Sequence, residues 1–142
     1  MQIEEINYYS EEYLKLLNFR FNNLRKPLNL EWSKLDLLNE NQQIHFALIN
    51  QSGIFGSFCL KKIDSSTIRL RQMAIENKYQ KQGYGSTILI FIEKYAIEKK
   101  YKKIILTARL TAINFYKKKK FKTSGNIFTD VTVDSINMYK NI

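Results

Sequence analysis

The chain has 142 residues, 44% hydrophobic and 13% aromatic, which suits one folded domain over residues 1–142 rather than a disordered chain. No apolar run reaches the roughly 18 residues that a membrane-spanning helix needs, so no membrane partner is expected. The start Met-Gln-Ile-Glu-Glu is acidic where a signal peptide is basic and then apolar, and the single Cys59 has no internal disulfide partner. A reduced, cytoplasmic protein is the expectation.

The net charge of +10 is unevenly placed. Residues 1–60 carry five Lys/Arg against seven Asp/Glu, residues 61–122 seventeen against four, and residues 123–142 one against two. A basic middle suits an anionic partner such as a nucleic acid, a membrane or a phosphorylated cofactor. Solvated lysine in a Lys-rich chain accounts for the charge equally well.

In chain order, Gln2–Tyr8 reads as an edge strand. Ser10 with Glu11 and Glu12 reads as a helix N-cap with acid in the first turn. Tyr13, Leu16, Leu17, Arg20, Phe21 and Leu24 keep helical spacing, which Pro27 ends. Residues 28–42 form a polar connector with Leu30, Trp32, Leu35, Leu37 and Leu38 embedded, some of which cover the core or line a substrate groove. Ile44–Ile49, Ile54–Ile63 and Thr67–Ile75 read as strands joined by the turns Gln51-Ser-Gly53 and Asp64-Ser-Ser66, an antiparallel meander. The period then changes. Ile88, Leu89, Ile92, Tyr95 and Ala96 mark the buried face of a helix, with Glu93, Lys94, Glu98 and Lys99 on its wet side. Lys102–Ala108 reads as a central strand and Thr111–Lys118 as a short helix. Ile127–Val133 and Ile136–Tyr139 close the chain about a turn at Asp134-Ser135. The whole is an α/β (α+β) domain with one mixed sheet.

The segment Leu70-Arg-Gln-Met-Ala-Ile followed by Gln80-Lys-Gln-Gly-Tyr-Gly-Ser86 joins a strand to a helix through two glycines. A helix N-terminus has unpartnered N–H groups and a positive dipole end, so the loop suits a phosphate, with Lys78 and Lys81 beside it. A dinucleotide fingerprint needs a third glycine, and a Walker A loop needs Gly-Lys-Ser/Thr; both are absent.

Gln80-x-x-Gly83-x-Gly85 resembles the Arg/Gln-x-x-Gly-x-Gly/Ala signature of the GNAT N-acetyltransferase superfamily. Leu70-Arg-Gln-Met-Ala-Ile is similar to that family's fourth strand. Ala108-Arg-x-x-Ala-Ile-x-Phe-Tyr116 with Phe121 is similar to its Ala-Ile-x-Phe-Tyr-x-x-x-Gly-Phe block. Leu24-Arg-Lys-Pro-Leu28 and Phe128-Thr-Asp-Val resemble elements of a small single-domain bacterial branch. The likeness runs from about residue 20 to the C-terminus. It implies the GNAT acyl-CoA N-acyltransferase fold, a mixed six- to seven-stranded sheet flanked by helices, with the fourth and fifth strands splayed around the cofactor at a bulge.

The resemblance also implies acetyl-CoA as cosubstrate, no metal, and transfer of the acetyl group to a primary amine by direct attack in a ternary complex. It assigns backbone contacts to Met73, Ala74 and Ile75. It gives the pyrophosphate to Gln80, Lys81, Gln82, Gly83, Tyr84, Gly85 and Ser86. Arg109, Asn114 and Tyr116 are added as cofactor contacts, with Tyr116 as general acid to the leaving thiolate. A packed core aromatic is the competing reading of Tyr116. Glu31, Asp36, Glu40 and Glu76 are candidates for an unassigned general base, while His45, the only histidine and in a strand, reads as structural. Two departures stand out: Lys120 occupies the usual glycine position, and Thr132-Val-Asp-Ser135 replaces Gly-Ile-Pro-His. A domain that binds acyl-CoA as a sensor without catalysis, and a basic nucleic-acid-binding module, are the alternatives. The lysines fall on several faces with no stacking platform, so nucleic acid is the weaker of the two. The acceptor is a small-molecule or peptide amine, and the chain is a monomer or homodimer.

Overall fold

A computed structural model describes residues 1–142. Its principal elements are β1 (Gln2–Ile6), α1 (Glu11–Arg20), β2 (Ile44–Asn50), β3 (Gly53–Lys62), β4 (Thr67–Ile75), α2 (Tyr84–Glu98), β5 (Lys103–Arg109), α3 (Ile113–Lys118), β6 (Lys122–Asp130) and β7 (Val133–Asn141). The strands form one mixed sheet in the order β1-β2-β3-β4-β5-β7-β6. The short turns make β1–β2 and β2–β3 antiparallel, and the long connection through α2 lets β5 join β4 in parallel. By contacts the chain divides into two compact units, Met1–Lys61 with Arg71–Tyr84 and Lys62–Leu70 with Gly85–Ile142.

In the first unit Ile6, Tyr13, Leu16 and Ala47 form a buried cluster, packed by Tyr8, Leu17, Ile49 and Ile54. Ser10 stands at the N-cap of α1 with extended backbone. Its hydroxyl does not cap the helix; it donates to the Asn7 carbonyl at 2.6 Å, so the charge of Glu11 and Glu12 does the work at that end. After Arg20 the helix widens into a π-turn, Phe21–Arg25, then tightens into a 3-10 turn, Lys26–Leu28, that accommodates Pro27. Of the connector's apolar residues, Leu30 and Trp32 are half-buried and Leu35, Leu37 and Leu38 are exposed. Trp32 is the connector's anchor, with the guanidinium carbons of Arg20 and Arg25 at 5.6 and 5.0 Å from its ring.

In the second unit α2 buries Ile88, Leu89, Ile92 and Ala96, as its spacing requires. Glu93, expected in water, is half-buried and pairs with Lys140 at 2.8 Å. The closing hairpin differs from expectation. β6 begins at Lys122, with a bulge between Ser124 and Phe128 where Gly125 has φ of 78°. The turn is Val131-Thr132, both at positive φ, while Asp134 and Ser135 are strand residues opposite Thr129 and Phe128. Asp-Ser reads as a turn by composition. Pairing of β7 with both β5 and β6 fixes it as strand.

Candidate functional site

The parallel pairing of β4 with β5 covers Thr67–Arg69 and stops, although β4 continues to Ile75. Just beyond, Gln72 takes φ of 54°, and the Ser57 hydroxyl donates to its carbonyl at 3.1 Å. This is the strand irregularity the resemblance implies. No sequence signal marks it, because Gln has no special tolerance for left-handed backbone.

After β4 the chain makes a 3-10 turn, Asn77–Tyr79. Gln80 Nε2 donates to the Ile75 carbonyl at 2.9 Å and to Asn77 Oδ1 at 3.1 Å, while Gln82 Nε2 donates to the Lys78 carbonyl at 2.9 Å. Both glutamines therefore brace the loop. Tyr79 is anchored by an Asn50 amide bond of 3.0 Å to its hydroxyl and by Phe55 at 4.7 Å, and Tyr84 meets Phe55 edge-on at 4.9 Å.

Lys81 and Gly83 have φ of 61° and 89°, and Gln80–Gly83 are exposed. Nothing lies within 4 Å of a Cβ built on Gly83, so glycine is needed there for its backbone angle rather than for room inside the protein. Left-handed residues interleaved with ordinary ones turn successive N–H groups to one side, an anion-binding concavity. The 15-residue helix α2 opens directly from it at Tyr84, with Gly85 and Ser86 in its first turn. This donor set fits a phosphate group.

In the second unit Arg109 and Asn114 are exposed, at the end of β5 and in α3. Tyr116 is only 9% exposed, edge-on to Phe115 at 5.1 Å and Phe121 at 5.7 Å. Burial pushes its phenol up to about 12. Lys120, where the family pattern has glycine, has φ of 72°, a left-handed angle that strains a residue with a Cβ.

The base candidates separate by burial. Glu40 Oε1 accepts bonds from Arg20 Nη1 at 2.6 Å and the Tyr13 hydroxyl at 2.8 Å. These partners hold its carboxyl below the usual range against the opposing effect of burial. His45 Nε2 donates to the Glu40 carbonyl at 2.7 Å, and burial holds the ring below its ordinary value, hence neutral. Asp36 pairs with Arg25 at 2.8 Å and accepts from the Ser33 amide. These three are structural. Glu31 is exposed, and half-buried Glu76, 3.8 Å from Lys78, lines an open cleft of 640 Å³ in the first unit with Glu12, Phe19 and Asn23.

The model of the Acetyltransferase (GNAT) family matches residues 6–121. The chain belongs to the GNAT acetyltransferase family. Solved structures share its fold at low identity. An acyl-CoA N-acyltransferase from Pseudomonas aeruginosa is 12% identical with a TM-score of 0.84, over 98% of both chains. Escherichia coli ElaA is 14% identical, also with a TM-score of 0.84 and 98% of both chains covered. A GNAT family acetyltransferase from Elizabethkingia anophelis with acetyl-CoA bound is 16% identical with a TM-score of 0.77, over 99% of this chain and 97% of that one. No helix of this GNAT domain is long and apolar enough to cross a membrane.

Proposed function

We propose that this GNAT domain binds acetyl-CoA and passes the acetyl group to a primary amine by direct attack in a ternary complex. The observation that carries the proposal is the exposed loop Gln80–Gly83, with left-handed Lys81 and Gly83, opening into α2. Its N–H groups hold the cofactor's pyrophosphate, Lys78 and Lys81 add charge, and the two bracing glutamines preorganise the loop. The residues Met73–Ile75 supply main-chain groups to the pantetheine arm, with Arg109 and Asn114 as further contacts. Coenzyme A supplies the activated thioester; the chain orients it and donates the proton that the departing thiolate takes up.

Tyr116 is the proposed donor. With its pKa pushed up to about 12, proton transfer to a thiolate near 8.5 is uphill. That observation also favours the second reading, a domain that binds acyl-CoA as a sensor with little turnover. Acetyl-CoA is expected to raise the melting temperature, because a ligand that binds only the folded state stabilises it. Thiol release with an amine panel then separates the readings: turnover with any amine supports transfer, and stabilisation without turnover supports the sensor.

A further inference from the structure

The first unit holds a buried charged cluster whose charges do not balance. Arg20 is 1% exposed, and its Nη1 lies 2.6 Å from Glu40 Oε1. Arg71, in β4, lies across the same carboxylate, its Nη1 3.6 Å from Glu40 Oε2, and donates to Gln43 Oε1. Gln43 is in turn bonded by the Cys59 thiol at 3.1 Å. His45, Tyr13 and Cys59, the other titratable groups here, are neutral in this setting. Two guanidinium groups thus share one carboxylate, which leaves one positive charge in excess. Arg25, the next arginine along the chain, has Asp36 for itself.

The excess charge falls on Arg71, which has no carboxylate of its own, and a second anion beside it completes a charge-assisted pair. Arg20 and the Glu40 carboxylate are sealed in, at 1% exposure each. The Arg71 side chain is 24% exposed, so it is the only one of the three that meets solvent. Its Nη1 is bonded to Gln43 and lies beside Glu40, which tethers one end of the guanidinium and leaves the Nε and Nη2 donors for a ligand. Arg71 also immediately precedes Gln72, where β4 departs from regular strand, and stands two residues before Met73.

We infer that Arg71 is a specificity-determining residue that receives the carboxylate of an amine acceptor, so that the preferred substrates are amino acids or short peptides with a free carboxyl group. The inference rests on the acetyl-transfer reading above. The planar fork of a guanidinium matches a carboxylate through two parallel N–H···O bonds, a pairing that neutral amides and cationic polyamines do not offer. The tether at Nη1 also lowers the entropy lost on binding. Gln43 and Glu40 act through Arg71 as positioning residues.

The test measures thiol release from acetyl-CoA with amino acids and dipeptides, with the same compounds as carboxamides, and with a polyamine. Free carboxylates are expected to exceed their carboxamides in kcat/KM by about 10–100-fold, the scale of a charge-assisted hydrogen bond. Arg71→Gln should collapse that ratio toward one, chiefly through KM, and Arg71→Lys should restore part of it. The acetyl-CoA dissociation constant should move by less than about twofold, since its phosphates sit at the Gln80–Ser86 loop. Equal or better turnover of carboxamides or the polyamine overturns the inference while leaving acetyl transfer standing. So does a loss of acetyl-CoA affinity in Arg71→Gln, which would make the bound anion the cofactor's own phosphate. Absence of turnover with every amine, despite cofactor binding, removes the transfer reading itself and this inference with it. If Arg71→Gln fails to fold, the carboxylate-to-carboxamide ratio of the native protein and of Arg71→Lys still decides.

Discussion

Replacing Tyr116 by Phe deletes one oxygen from a packed aromatic group and leaves its ring contacts in place. Turnover should fall by about tenfold or more, with acetyl-CoA affinity nearly unchanged; kinetics beside a binding isotherm measure both. An unchanged rate would leave the ring with a packing role only. Glu40→Gln is a fold mutation, because Arg20 then keeps a buried charge without its counter-ion. A loss of about 3–5 kcal/mol in urea unfolding is expected. The same cluster sets acid sensitivity. His45 is held below its ordinary 6.5, so the unfolded chain binds its proton first, and stability is complete above that value and declines as pH falls through it. Glu40, held below 4.5, adds a second decline beneath that pH. Unfolding curves across the acid range should show both, and His45→Gln should remove the upper one. The chemistry-bearing residue types were legible in the sequence. Their use was only partly so: His45 in its strand read as structural, but Glu40 looks like a base candidate until its burial is known.

At the scale of elements, backbone angles decide more than side chains. Lys120 at φ of 72° is strained where glycine is not, so Lys120→Gly should stabilise the fold by about 1 kcal/mol, seen as a higher melting temperature. Gly83→Ala should do the reverse by a similar amount and also weaken acetyl-CoA binding, because the loop's N–H groups would turn away. If cofactor affinity survives Gly83→Ala, the loop is not the phosphate site. Helix α2 and strand β4 were readable because periodicity and turn residues report local geometry directly. The Val131-Thr132 turn and the Gln72 irregularity were not. Both place ordinary residues at positive φ, which happens only when neighbouring strands over-determine the backbone.

For the molecule as a whole, charge and topology matter most. Residues of the second unit carry fourteen Lys/Arg against five Asp/Glu, and those of the first unit nine against eight. Acetyl-CoA is an anion, so its affinity should weaken as ionic strength rises, which titrations at several salt concentrations check. An affinity indifferent to salt would assign the lysines to plain surface. Residue order alone set the succession of strands and helices and the phosphate-type loop. Both rest on short-range periodicity and on residues such as glycine whose angles are local. The motif order likewise pointed to the GNAT family from residues alone. Three-dimensional contacts were needed to place the parting of β4 from β5 after Arg69, to bury Tyr116, and to bring Arg20, Arg71 and Glu40 together. Those features join residues far apart in the chain. Their energies come from burial and from charge in a low-dielectric interior, neither of which a local pattern of residues records.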